Sequence, residues 1–290
     1  MQARELPVDA SDGHSWQLLA RIPEQPVASV LWLPALGVAA RHYLPLAESL
    51  AARGIAVFLH EWRGHGSSNL RASRKCNWGY AELLEADLPA SEAALAAALP
   101  DGLPTIIGGH SLGGQLASCR IAMTPAQHDR RLWLVGSGAP YWRAFPTPSR
   151  WYLPLAYRFL PWLANLNGAL PGRRLGFGGR EARGVIDDWS RTAISGRYAA
   201  KGIDTDLEAA LAASAPRIQA VLFAHDWLAP ESSLRFLLAK MPCAAASVST
   251  LDDTMLGSRA DHFEWMKQPG AVVDALLRPP GKVSATPAAG

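Results

Sequence analysis

The run Ile106-Ile107-Gly108-Gly109-His110-Ser111-Leu112-Gly113-Gly114 constrains this chain more than any other stretch. Its apolar start reads as a short strand entering a G-x-S-x-G turn, and Gln115 to Ala122 reads as the helix that follows. A strand that becomes a helix across one residue forces that residue into strained backbone. It also brings strand and helix so close that a Cβ at Gly109 or Gly113 would clash. The same turn aims the first helical N–H groups at whatever is bonded to the serine oxygen, where negative charge is favoured. Ser111 is therefore a candidate nucleophile.

The other elements alternate around this turn. Trp16 to Ile22 and Ser29 to Leu33 read as strands separated by Pro23-Glu24-Gln25-Pro26, and the second is apolar enough to be buried on both faces. Pro34-Ala35-Leu36-Gly37 follows, then a helix from about His42 to Arg53, closed by Gly54. Ile55 to Leu59 makes the next strand, Ala81 to Leu99 a helix despite Pro89, and Leu132 to Val135 another strand. Past Ile218 come the strand to Phe223, a helix at Ser232 to Ala239, a weak strand at Ala244 to Leu251 and a helix from about Ala271 to Leu277. Strands alternating with helices predict an α/β fold with a mainly parallel, doubly wound sheet whose strand C-termini carry the chemistry.

The alternation lapses between 141 and 217, in a segment rich in aromatic residues, proline and arginine, which reads as a mostly helical inserted cap. The expected organisation is a core at 1–140, this cap, a second part of the core at 218–278 and a disordered tail at 279–290. With 290 residues, 49% hydrophobic and 18% charged, the chain has the composition of a core-rich globular protein. Its formal charge of +3 argues for no nucleic-acid partner, although seven arginines and one acidic residue, Glu181, fall between 141 and 183. Three scattered cysteines form neither a disulfide framework nor a metal site, no run is long and apolar enough for a membrane span, and the N-terminus lacks a secretory apolar core. These features predict a cytoplasmic protein without metal or cofactor.

A serine hydroxyl needs a base within reach and a group to orient that base. On this scaffold the chain order is Ser, then Asp or Glu, then His. His262 alone of the eight histidines follows the last expected strand. Asp226, on the loop after Phe223, is the favoured carboxylate, with Asp252 and Asp253 as rivals and Asp261 adjoining the histidine. His110 should point into the core, His65 reads as a solvated loop residue and His225 as a neighbour of Asp226. Two convergent N–H donors are needed for an oxyanion; Leu112 follows the nucleophile, and Leu36 is the best candidate for the second.

With the cap, these residues resemble the α/β-hydrolase superfamily over about residues 15 to 278, most closely a bacterial serine-hydrolase branch with serine-aminopeptidase-like and monoglyceride-lipase-like members. Glu61-Trp62-Arg63-Gly64-His65-Gly66-Ser67-Ser68 matches that branch's D-x-R-G-x-G-x-S loop, with Glu61 replacing aspartate. Pro34-Ala35 stands where many relatives carry His-Gly. The resemblance implies acyl transfer to water by Ser111, His262 and Asp226, with a carboxylic ester the expected substrate. An acyltransferase or a thioesterase on the same residues and a non-catalytic binding protein are the alternatives. In the cap, Trp142, Trp151, Tyr152 and Trp162 are candidates for an acyl-chain wall, and the arginines could lay this region on an acidic membrane surface.

Overall fold

Five strands whose residues are nearly all apolar can be satisfied only by burial on both faces, and they form the middle of one sheet. The computed structural model describes residues 1–124, 130–176 and 178–278; the tail expected at 279–290 lies outside them. The strands are β1 (Gln2–Asp9), β2 (Ser15–Ile22), β3 (Ala28–Leu33), β4 (Ile55–Leu59), β5 (Thr105–His110), β6 (Arg131–Val135), the short pair β7 (Leu170–Pro171) and β8 (Arg180–Glu181), β9 (Arg217–Phe223) and β10 (Ala245–Leu251). The main sheet runs β1-β2-β4-β3-β5-β6-β9-β10. It is parallel from β4 to β10, and β2 alone runs against its two neighbours, β1 and β4. The parallel, doubly wound α/β sheet expected from the sequence is the one observed.

Helices cover both faces: α1 (Leu44–Ala51), α2 (Leu88–Ala98), α3 (Leu112–Met123), α4 (Ser149–Asn167), α5 (Gly172–Leu175), α6 (Arg183–Ser195), α7 (Leu207–Ala213), α8 (Glu231–Leu238), α9 (Asp253–Leu256) and α10 (Gly270–Leu276). Alternate residues of each central strand feed two cores. Leu31, Phe58, Ile107 and Leu134 pack with α2, α3 and α8. Val30, Val57, Ile106 and Trp133 pack with α1 and α10. Helices α4 to α7 lie between β6 and β9, within the segment read as an insertion.

Two local features depart from the sequence reading. The N-terminal residues form β1, an edge strand with most of its side chains exposed, so no apolar alternation announced it. The helix before β5 is not regular: Glu82–Asp87 is a π-helical turn, with the Leu88 amide bonded to the Leu83 carbonyl. That wide turn lies immediately before Pro89, whose ring would clash with the carbonyl four residues back in a regular helix.

A buried polar network fixes the loop after β4. Arg63 forks onto Asp87 with two contacts of 2.7 Å, and the second Asp87 partner is His14 Nδ1 at 3.0 Å. Nearby His60 is buried, bonded through Nδ1 to Ser91 Oγ at 2.9 Å, and burial pulls its pKa down to about 3. The unfolded chain takes up that proton near 6.5, so between these values acid favours unfolding. Stability should therefore fall by about 1.4 kcal/mol per pH unit from this residue alone as acid is added below neutrality. Urea unfolding of wild type and His60→Gln between pH about 7 and about 5 checks this, with a shallower slope expected for the variant.

Candidate active site

Ser111 has φ 54° and ψ −119°, the only positive φ at a non-glycine position among the described residues. Holding it there costs about 1–3 kcal/mol, which the surrounding bonds must offset. Its amide donates to Val135 O at 3.1 Å, and its carbonyl accepts from Ser137 Oγ at 2.7 Å and from the amides of Gly114 and Gln115. The flanking glycines are dictated by contact. A Cβ at Gly109 would lie 2.3 Å from the Gly113 carbonyl carbon, and one at Gly113 would lie 2.1 Å from Leu33 O. Helix α3 thus starts directly against the end of β3.

The structure brings His262 and Asp226 together. His262 Nδ1 and Asp226 Oδ2 are 2.7 Å apart with both residues buried. The other carboxylate oxygen of Asp226 accepts from the amides of Leu228 and Ala229 at 2.9 and 3.1 Å, which holds it in place. With Nδ1–H donated to this carboxylate, Nε2 is the nitrogen free to accept a proton. The alternative acids are engaged elsewhere. Asp252 caps α9 through the Met255 amide, Asp253 accepts from the Ala260 amide, and Asp261 accepts from the amides of Phe263 and Glu264. His225 faces Asp253 at 3.4 Å, not Asp226.

Beneath His262 lies a layer the sequence did not disclose. The His110 ring packs 4.5 Å from that of His262, centroid to centroid, which sets His262 beside the residue preceding Ser111. Trp265 donates its indole N–H to the His262 carbonyl at 3.0 Å and packs edge-on against His110. His110 Nδ1 lies 2.9 Å from the Tyr43 hydroxyl, which also accepts from the Ala35 amide at 2.9 Å. Burial and the neighbouring His262 hold His110 well below its ordinary pKa, so it is neutral and accepts the Tyr43 proton. Tyr43 thereby joins the Leu36 loop to the layer beneath His262. A tyrosine near the start of a surface helix carries no sequence signal for this role.

The Leu36 loop is held from three sides. Trp62 Nε1 donates to Pro34 O at 2.8 Å, Tyr43 accepts from Ala35, and Val38 donates to Ala35 O at 3.2 Å. These bonds fix the backbone where Pro34-Ala35 replaces His-Gly. Leu112 opens α3, where first-turn amides have no intrahelical acceptor.

The cap reaches this loop. A Cβ on Gly37 would meet the Gly178 and Gly179 backbone at 2.3 Å, so the two segments touch main chain to main chain. Glu181 accepts from the Gly179 amide at 2.6 Å and faces His65 Nε2 at 3.3 Å. His65 is buried, not solvated as its loop suggested. Burial lowers its pKa, but the Glu181 bond and charge outweigh that and raise it overall.

The cap aromatics part company. Trp142 is half-buried in a small cluster with Phe145, Leu153, Tyr157 and Ala193. Trp151, Tyr152 and Trp162 stand exposed on α4, so they enclose no acyl-sized space. Its buried side uses Leu153, Tyr157 and Ala164 instead.

A sheet of this order, with a strained serine after β5 and a buried acid–histidine pair on the loops after β9 and β10, defines an α/β-hydrolase. The serine aminopeptidase, S33, family model matches residues 24–192, more than half the chain. The chain belongs to that family, within the esterase–lipase branch of serine hydrolases. No curated protein sequence matches it. Among solved structures it is similar to the esterase domain of a Rhodothermus marinus protein (TM-score 0.61, 18% identity, 95% of this chain and 96% of that one). It is also similar to the thioesterase domain from the curacin biosynthetic pathway (TM-score 0.60, 18% identity, covering 96% and 100%) and to a lipase in its open form (TM-score 0.62, 17% identity, covering 95% and 96%). At these identities the likeness is one of fold.

Proposed function

We propose that this protein cleaves a small or medium apolar carboxylic ester through an acyl-enzyme on Ser111. The observations that support the reading are the buried 2.7 Å bond between His262 Nδ1 and Asp226, the packing of the His262 ring on His110, and the positive φ of Ser111, the residue after His110. In the first half-reaction Ser111 Oγ attacks the ester carbonyl and its proton passes to His262 Nε2. The tetrahedral oxyanion takes the amides of Leu36 and Leu112, each worth about 3 kcal/mol of barrier when well aligned. His262 then gives its proton to the departing alcohol. In the second half-reaction water loses a proton to His262, attacks the acyl carbon and releases the acid, while Asp226 orients the ring and stabilises its charged form.

A fluorophosphonate probe, which phosphonylates an activated serine with loss of fluoride, tests the reading. Wild type should be labelled and should turn over p-nitrophenyl esters; Ser111→Ala should remain folded and unlabelled. A folded wild type that resists the probe, or a Ser111→Ala variant labelled equally well, would overturn it. The ester panel in order of acyl length then gives the preferred chain. Product formed on an added alcohol faster than on water would mark an acyltransferase.

A further inference from the structure

Helix α4 buries one apolar side and leaves another open. Leu153, Tyr157 and Ala164 pack inward, whereas Trp151, Tyr152, Leu155, Phe159, Trp162 and Leu166 are each between 48 and 71% exposed. At 3.6 residues per turn the six exposed side chains fall in one stripe about 100° wide, opposite the buried set. A stripe of this size, carrying four aromatic side chains, is not an ordinary scatter of surface apolar residues.

The exposed charges within 141–183 have one sign. Arg158 lies on the border of the stripe, and Arg143, Arg173 and Arg174 are exposed elsewhere in the cap. None of the four forms an ion pair with a carboxylate among the described residues, and the single acid between 141 and 183, Glu181, is buried against His65. A second copy of this chain is a poor occupant, because α4 packed on its own twin would confront Arg158 with another arginine and offer no carboxylate. The chain's last twelve residues contain no apolar side chain larger than valine, too little to cover the stripe. What matches apolar rings bordered by the Arg158 guanidinium, on a cap that exposes three more without carboxylate partners, is a hydrocarbon layer beneath anionic headgroups.

We propose that the exposed side of α4 docks the protein on an anionic lipid surface, with the helix in the plane of the interface and the cap arginines on lipid phosphates. No helix among the described residues is long and apolar enough to cross a membrane, so the contact is peripheral. The docking is a property of the cap surface and does not depend on the chemistry of Ser111.

The test is co-sedimentation of the full chain with vesicles of phosphatidylcholine alone and of phosphatidylcholine mixed with phosphatidylglycerol. Wild type should partition at least about tenfold more strongly onto the anionic vesicles, and salt raised from about 0.1 M to about 0.5 M should weaken the binding. Leu155→Asp with Phe159→Asp should lose binding about tenfold or more while melting like wild type. Arg158→Gln, Arg173→Gln and Arg174→Gln should each lose up to about fivefold on anionic vesicles, which tests the idea even if the double variant fails to fold. Ser111→Ala should bind as wild type does. Wild type indifferent to phosphatidylglycerol, or a folded double variant that binds normally, would overturn the proposal. So would a wild-type dimer that ignores vesicles and is broken by the same two substitutions, because a second copy would then be the occupant.

Discussion

Replacing Ser111 or His262 by alanine should each lower kcat for a p-nitrophenyl ester about 10⁶-fold, and Asp226→Asn about 10⁴-fold, with KM changed far less. The grading follows from the roles. In the proposed mechanism serine and histidine take part in bond formation and proton transfer, so either loss would leave only binding and the backbone donors. On the same proposal Asp226 sets the tautomer and holds the ring, and its asparagine counterpart would present an N–H to Nδ1 and favour the wrong one. The Ser111→Ala, His262→Ala double variant should be no slower than either single variant, since the two act as a unit. Asp252→Asn should stay near wild type because its carboxylate serves the Met255 amide. Steady-state kinetics on purified variants with matched melting curves decides the matter. Near-normal turnover in Asp226→Asn, with loss in Asp252→Asn or Asp253→Asn, would transfer the acid's role to one of those rivals.

The largest stability effect should come from one methyl group. In Gly113→Ala the new Cβ would fall 2.1 Å from Leu33 O and 2.6 Å from Pro34 O, both main-chain atoms at the end of a central strand. Neither can swing aside as a side chain would. Either α3 backs away from the sheet or the β3 end gives, and both break packing around Leu112 and Leu116. A loss of about 3 kcal/mol or more is expected, on the order of 10 °C in melting temperature. Differential scanning calorimetry measures it. A variant that melts with wild type would mean that this junction is looser than its contacts indicate. Because Pro34 adjoins the Leu36 loop, surviving enzyme should also lose kcat.

The legible parts of this molecule are those whose physics is local. Strands buried on both faces must be apolar throughout, so β3, β4 and β9 stand out at nearly their observed limits. Ser111 is found because strand, turn and helix follow one another within a few residues. What the sequence hides depends on partners far along the chain. The choice among Asp226, Asp252 and Asp253 turns on which carboxylates cap local amides and which one faces an imidazole 36 residues away. His65 looks solvated until Glu181, 116 residues later, folds against it. Composition alone did not separate the two apolar sides of α4, so Trp151 and Trp162 read as a wall when only the opposite side is packed. Strand β1 was missed for a different reason: an edge strand open to water needs no apolar pattern.

The backbone junction between Gly37 and the segment at Gly178 and Gly179 limits how freely this lineage can exchange its upper region. A transplanted insertion would have to bring small residues to the junction and a carboxylate for His65, or it would prise open the turn carrying Leu36. A change to the roof therefore carries over to the Leu36 turn below it, and the two segments cannot be altered independently.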